Sequence, residues 1–337
     1  MSMKVLVTGA TGFLGGYVVE ELLKHGFEVV GLARKTSNTS LLKELEVEIR
    51  WGDITNAAEM LEVIKDVDAV VHLAAYYTFH GEKERFYKVN VGGTRNVIEA
   101  ALKNKVKRFI YCSTTEAVGP VKNPPANETY PPNPTYEYGR SKLEAEKLVS
   151  YYGNRGLEYT ILRPTGLYGP RNVNDVSYWF IKAVAERSFL ARFVVGSGEN
   201  LIQFTHAADA AQGFRLALER EESIGEVYFI GGEKAYTYNE VYKMVAELAG
   251  VDPPTRHIPP WLAKLMIAPL EFFNKLRGEE NFLVHVDTVD AVTSDRAYSI
   301  EKAKRQLGFQ PRYNLRDGLK ETIEWYIENG YVKPPRK

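Results

Sequence analysis

The chain has 337 residues, with 43 basic against 43 acidic side chains, 45% hydrophobic residues and a single cysteine, Cys112. A formal charge of zero supplies no field toward nucleic acid, and one cysteine excludes both a disulfide framework and a Cys-based zinc site. The six histidines show no metal-ligand spacing, so no metal is expected and a small-molecule partner is the better expectation.

The opening stretch MSMKVLVTGATG has no cationic segment followed by an apolar one and reads as an immediate strand. A cytoplasmic location is therefore expected. Apolar, β-branched runs at 5–7, 28–32, 47–49, 69–73, 109–112 and 160–162 have the length of buried strands. Between them, 17–24, 85–102 and 138–151 carry amphipathic helical patterns. Such alternation predicts an α/β fold, a Rossmann-type doubly wound parallel sheet with its ligand at the carboxyl ends of the strands. Beyond residue 162 the pattern loosens, with a further helix predicted at 207–218 and a further strand at 228–232. The expected division gives 1–169 and 200–231 to the sheet domain. A smaller C-terminal substrate lobe takes 170–199 and 232–337.

Segment 261–276 is strongly apolar, with Trp261, Leu262, Leu265, Met266, Ile267, Leu270, Phe272 and Phe273. Lys264, Pro269 and Glu271 interrupt it, and it is too short to span a bilayer, so no stable membrane insertion is expected. Three readings stay open: an amphipathic helix packed on the core, a lid over an apolar substrate, or a helix docked on a membrane surface.

Directly after the first predicted strand comes Gly9-Ala-Thr-Gly12-Phe-Leu-Gly15, leading into a helix. Glycines at this spacing let the strand turn tightly, let backbone approach a pyrophosphate, and let the helix pack close to the strand. The helix N-terminus then offers free N–H groups to the phosphates. Thr11, Phe13 and Leu14 belong to the same candidate dinucleotide loop. The second strand ends in Arg34-Lys35, where an acidic residue would bind a ribose diol. Two cations there favour NADP(H), with NAD(H) still possible. Asp53, followed by Ile54, is a candidate acceptor for the adenine amino group, or simply a turn residue. Leu73, Ala74 and Ala75 are small enough to pass a nicotinamide ribose, and Ser113 and Pro164 complete the candidate cofactor set.

Tyr138-Gly-Arg-Ser-Lys142 puts a phenol and an ammonium four residues apart on one helical face. Tyr178–Lys182 and Tyr298–Lys302 repeat that spacing, so spacing alone proves nothing. Tyr138 differs in context, because the 109–112 strand ends in Ser113-Thr114-Thr115. Hydroxyls at that strand end and a residue on the next helix both point into the crevice of a parallel sheet. Moving a hydride off a carbinol requires removing its hydroxyl proton, and Lys142 is expected to draw the Tyr138 pKa toward the working range. Thr114 would hold the substrate oxygen, with Ser113 or Thr115 as stand-ins. Tyr138, Lys142 and Thr114 are the candidate catalytic residues.

Taken together these motifs resemble the extended short-chain dehydrogenase/reductase family. The likeness adds His72–Ala75, Asn90-Val-Gly-Gly-Thr94, Leu162-Arg-Pro-Thr-Gly-Leu-Tyr-Gly-Pro170, Phe204-Thr-His-Ala-Ala-Asp209 and Lys304-Arg-Gln-Leu-Gly-Phe-Gln-Pro311. It implies a homodimer built on the helices of 90–102 and 138–151. Asn90 resembles the family's asparagine that braces the active-site strands, a helix cap being its plainer reading.

Within the resemblance, sugar-nucleotide epimerases carry Asn where this chain has Gly166, and Arg where it has Ile202. Both changes remove groups suited to a nucleotide diphosphate. Sugar-nucleotide dehydratases carry Asp-Glu where this chain has Thr115-Glu116, half of that acid–base pair. Asn200-Leu-Ile-Gln-Phe-Thr-His206 and the 261–273 segment are more similar to the 3β-hydroxysteroid dehydrogenase and dihydroflavonol reductase branch. His206 is expected to brace the returning loop. Tyr76, Tyr77 and Phe79 either line an apolar pocket or are ordinary loop aromatics. The expected activity is hydride transfer between a nicotinamide and a secondary alcohol or ketone on a partly apolar substrate. The alternative is epimerisation of a sugar or sugar nucleotide through a transient ketone at the same tyrosine.

Overall fold

The computed structural model describes residues 2–78, 81–277 and 283–333. In its first half, strands and helices alternate as β1 (Lys4–Thr8), α1 (Phe13–Lys24), β2 (Glu28–Ala33), α2 (Ser40–Glu44), β3 (Glu48–Trp51), α3 (Ala57–Val63) and β4 (Ala69–His72). They continue through α4 (Lys83–Phe86), α5 (Thr94–Lys103), β5 (Arg108–Cys112), α6 (Glu137–Gly153) and β6 (Tyr159–Pro164). With the strand Glu226–Ile230, the six β-strands form one parallel sheet in the order Glu226–Ile230, β6, β5, β4, β1, β2, β3. Val5–Val7, Val70, Val71, Phe109 and Ile110 are fully buried because both faces of the sheet are covered. The strand order reverses between β1 and β4, which opens a crevice at their carboxyl ends.

The second half supplies α7 (Val176–Ala185), α8 (Ala207–Glu219), α9 (Tyr238–Ala249), α10 (Pro260–Arg277), α11 (Val286–Val292), α12 (Glu301–Leu307) and α13 (Leu315–Glu328). Helix α8 lies against α1, with Ala210, Phe214 and Ala217 in the sheet's core. A second core gathers Tyr178, Ile181 and Val184 of α7, Val241 and Val245 of α9, and Leu319 and Ile323 of α13. One segment crosses the expected division. Ile300, Ala303, Leu307 and Phe309 are buried in the sheet's core rather than in the second one. Their four apolar positions around α12 form too short a pattern to reveal their partner from sequence alone.

The predicted helix 85–102 is not one continuous α-helix. Residues Tyr87–Gly93 form a π-helical stretch between α4 and α5. There Gly93 meets the Ile54 side chain so closely that a Cβ would sit 2.7 Å from it. Wider turns of this kind recur at functional sites, where they re-aim a side chain. The re-aimed side chain here is Asn90.

His206 caps α8, accepting from Ala208 N at 3.3 Å, and stacks on Tyr313 at 3.8 Å between ring centroids. Burial, with Arg312 nearby, lowers its pKa from 6.5 to about 4. Below pH 6.5 the unfolded chain therefore binds a proton that the folded chain refuses, and stability falls as pH drops from 6.5 to about 4. The loss is on the order of 3 kcal/mol at most. Thermal unfolding across that range should show the decline, and His206→Asn, which keeps a capping side chain, should flatten it. An unchanged slope would assign the acid sensitivity elsewhere.

Candidate active site

The glycine turn after β1 is held by backbone contacts that leave no room for side chains. Gly9 has φ +72°, and a Cβ there would lie 2.8 Å from the Ala74 nitrogen. A Cβ on Gly15 would lie 2.0 Å from the Gly9 oxygen. Gly12 N donates to Gly9 O at 2.9 Å, and Gly12 opens α1 with no side-chain cap, so the helix's first N–H groups point out of the turn. Thr11, Phe13 and Leu14 are half-buried around it. This bare-backbone cradle at a helix N-terminus fits a pyrophosphate.

Arg34 and Lys35 are exposed at the end of β2, and Ser37 N donates to Arg34 O at 2.8 Å, closing a turn. Asp53 sits in a turn that one of its carboxylate oxygens closes. Its Oδ1 accepts from Thr55 N at 2.8 Å and from Thr55 Oγ1 at 2.7 Å. Burial works against its charge, but the Thr55 hydrogen bonds, with Arg34 and Lys88 nearby, hold the carboxyl below its ordinary range. Ile54 is buried, and its carbonyl accepts from Asn96 Nδ2 at 2.8 Å. Leu73, Ala74 and Ala75 run along the end of β4, while Pro164 ends β6 in register with Ile230.

A hydrogen-bonded chain that sequence reasoning did not assemble crosses the floor of the crevice. Thr94 Oγ1 donates to Asn90 O at 2.6 Å, so His72 Nε2 donates to Thr94 at 2.9 Å. Thr8 then donates to His72 Nδ1 at 2.7 Å and accepts from Ala74 N at 3.2 Å. Full burial, with Lys142 nearby, drives the His72 pKa down to about 3, so the ring is neutral. Asn90 is no helix cap. Its amide exchanges hydrogen bonds with the backbone of Tyr76 at 2.7 and 3.0 Å and donates to Ser141 Oγ at 2.9 Å. It thereby ties the β4 loop to α6, the bracing role implied by the resemblance.

Helix α6 brings Tyr138 and Lys142 beside the end of β5. Lys142 is 2% exposed; its Nζ donates to Cys112 O at 2.6 Å and stands 4.3 Å from the Tyr111 ring centroid. Burial lowers its pKa to about 8. Tyr138 packs edge-on against Tyr77 at 4.7 Å. The expected lowering of the Tyr138 pKa is not what this geometry yields. Burial raises the phenol well above its ordinary value, with further upward pushes from Cys112, Glu116 and Asp175. The Lys142 ammonium is drawn to the Cys112 carbonyl, and desolvation of the phenol is the largest cause of the rise.

Thr114 Oγ1 accepts from Glu116 N at 3.2 Å, which leaves its O–H to donate. Ser113 is buried and its O–H is already engaged, which leaves its oxygen only an acceptor's role. Its hydroxyl donates to the buried carboxylate of Glu146. Thr115 is buried, and its carbonyl accepts from Val118 N at 2.9 Å. Glu116 is paired with Arg296 at 2.9 Å. The two decoy pairs are engaged elsewhere. Lys182 binds Glu186 and Lys302 binds Glu226, each at 2.7 Å. Tyr76 packs on Phe86 at 5.0 Å, and Phe79 lies outside the described residues.

A bare-backbone phosphate cradle at the switch point, with a tyrosine–lysine pair across the crevice, defines a dinucleotide-dependent enzyme. A model of the NAD dependent epimerase/dehydratase family matches residues 5–231, and the chain belongs to that family. It is an enzyme of the extended short-chain dehydrogenase/reductase type. A putative dihydroflavonol 4-reductase of Synechocystis is 29% identical, covering 97% of this chain and 95% of that one. Sterol demethylase protein B of Methylococcus capsulatus is 28% identical over 98% and 100%. Among solved structures, gox2253 superposes with a TM-score of 0.83 at 32% identity, covering 98% of this chain and 99% of that one. The dTDP-glucose 4,6-dehydratase DesIV of Streptomyces venezuelae, solved with NAD bound, gives 0.79 at 26% identity over 98% and 99%.

Gly15→Ala should displace the turn and destabilise the fold by roughly 1–3 kcal/mol, with nucleotide affinity falling at least tenfold. Unfolding temperature and a NADPH titration read both. Unchanged values would contradict the close approach to Gly9.

Proposed function

We propose that this enzyme transfers a hydride between a nicotinamide and a secondary alcohol or ketone carried on a partly apolar substrate. The observation behind the chemistry is the half-buried Tyr138 one helical turn before the buried Lys142, whose ammonium is held at the end of β5, with Thr114 two residues past that strand end. Bound along Gly9, Gly12, Gly15 and Ala74, the dinucleotide would supply the hydride. Thr114 donates a hydrogen bond to the substrate oxygen and orients it. In the reducing direction Tyr138 gives its phenolic proton to that oxygen as negative charge develops, and in the reverse direction the phenolate takes it back. The Lys142 ammonium, held by Cys112 O, stabilises the phenolate left behind.

Gly166 and Ile202 support the apolar substrate. Gly166 lies against the Phe204 ring, where even a Cβ would come within 3.2 Å, and Ile202 joins the second core's apolar edge. No diphosphate-binding side chain stands at either position. Glu116 is neutralised by Arg296, which removes the half-pair that dehydration chemistry would use. Relatives named for sterol and dihydroflavonol substrates support the same class. Arg34 and Lys35 support NADP(H) over NAD(H), since both are exposed cations at the end of β2 where a 2′-phosphate would lie. In this reading 1–169 and 200–231 bind the dinucleotide, the remaining segments shape the substrate side, and the outer faces of α5 and α6 pair two copies.

The test is consumption of NADPH and NADH against a panel of apolar ketones. Turnover with NADPH is expected, and Tyr138→Phe should reduce kcat on the order of 10³-fold with nucleotide affinity intact. Sugar-nucleotide interconversion without net nucleotide consumption would replace this reading by epimerisation. Arg34→Ala should weaken NADPH about tenfold and leave NADH unchanged. Equal losses for the two nucleotides would remove the 2′-phosphate role.

A further inference from the structure

Two carboxylates act on Tyr138, and the fold treats them differently. Asp175, the cap of α7, is met by neutral donors, Asn172 Nδ2 at 2.7 Å and Ser177 N and Oγ each at 3.0 Å. Glu116 is met by a cation. Arg296 Nη1 donates to its Oε2 at 2.9 Å, and Arg296 is only 4% exposed.

That cation is brought from far along the chain. Arg296 N donates to Leu201 O at 2.7 Å, and Tyr298 N donates to Gln203 Oε1 at 2.8 Å. The Tyr298 hydroxyl donates to Gly119 O, also at 2.8 Å. The buried stretch Arg296–Tyr298 is thereby stitched on one side to the strand Leu201–Ile202 and on the other to the turn that follows Glu116. Among the described residues, the Arg296 Nε is buried with no hydrogen-bond partner. Hydrogen bonding therefore does not account for a cation in so dry a place, whereas the charge of Glu116 does. Glu116 is itself built into the site. Its N donates to Thr114 Oγ1 at 3.2 Å, and its carbonyl runs so close to Gly139, the residue after Tyr138, that no Cβ would fit there.

We propose that Arg296 is a positioning residue for hydride transfer, acting on Tyr138 through Glu116 by balancing the carboxylate's charge at the mouth of α6. The inference rests on the reading of Tyr138 as the group that exchanges the substrate's proton. Left unbalanced, the Glu116 carboxylate opposes the phenolate that alcohol oxidation requires; left without Glu116, the Arg296 cation favours it. The other ionisable groups around the phenol are Lys142 on its own helix, Cys112 and Tyr111 on β5, Tyr77 beyond β4 and Asp175 ahead of α7. Around Glu116 stand Tyr136, Tyr238 and Tyr298.

The test is oxidation of two apolar secondary alcohols, α-tetralol and 5α-androstan-3β-ol, by NADP⁺ with the full chain. Rates are followed from pH 6 to 7.5, below the value of about 8 at which Lys142 itself titrates. Glu116→Gln should raise kcat at pH 7 by at least about threefold, and Arg296→Met should lower it by as much. NADP⁺ affinity and unfolding temperature serve as controls. The double variant Glu116→Gln/Arg296→Met should return toward the parent rate, and Arg296→Lys should stay near it. A pair that serves only to hold the fold would lower kcat in both single variants, which overturns the proposal, as do single variants that leave the rate unmoved. Should Arg296→Met fail to fold, Glu116→Gln decides alone, and a rate at or below the parent's overturns the proposal. Tyr138→Phe separates the two readings. Lost turnover in that variant without the opposite shifts overturns the role of Arg296 only. Turnover retained in it, or no oxidation of either alcohol by the parent, overturns both.

Discussion

The site depends on a buried ion pair that fastens α6 to the sheet. Arg163 on β6 donates from Nε and Nη2 to the two carboxylate oxygens of Glu146 at 2.9 and 2.6 Å, both side chains being less than a tenth exposed. Ser113, at the end of β5, donates to the same carboxylate. Glu146 lies one turn beyond Lys142 on α6, so this one group joins that helix to two neighbouring strands at once. Burying such a pair gains little net stability, but removing one partner would strand a charge in a dry interior. Geometry is what it contributes. Lys142 and Tyr138 are held at the strand ends because the helix behind them cannot slide.

A second constraint acts from the other side of the crevice. The turn at Gly9 passes so near Ala74 that only bare backbone fits between them, and the His72 chain of hydrogen bonds ties β1 and β4 together beneath it. Asn90 then couples that floor to α6 through Ser141. Cradle and catalytic helix are thus parts of one rigid assembly, although they are more than 120 residues apart in sequence. Preorganisation of this kind is where enzymes of positioned hydrogen bonds obtain most of their effect.

Specificity is arranged differently. The site's own chemistry, a proton donor beside a hydride path, serves reduction, epimerisation and dehydration alike, and one fold hosts all three. The differences lie in what surrounds it. Here Glu116 is bound by Arg296, Gly166 presents no side chain, and Ile202 is apolar. These residues leave little free polar function around the crevice, while the second core adds apolar surface.

Sequence alone determined the parallel sheet, the phosphate turn and the tyrosine–lysine pair, because each is a local pattern. Strand runs follow a short-range hydrophobic code, glycines at 9, 12 and 15 answer a backbone need, and residues four apart on a helix share a face. It also marked Asn90 and His206 without deciding their roles. Tertiary structure decided those roles and several others. That Ser113 turns to Glu146 rather than to the crevice depends on Arg163, fifty residues on. That α12 joins the sheet's core and that Tyr138 is raised rather than lowered both follow from neighbours distant in the chain. Desolvation and long-range hydrogen bonding have no signature in local sequence, because they belong to the space between elements rather than to any one of them.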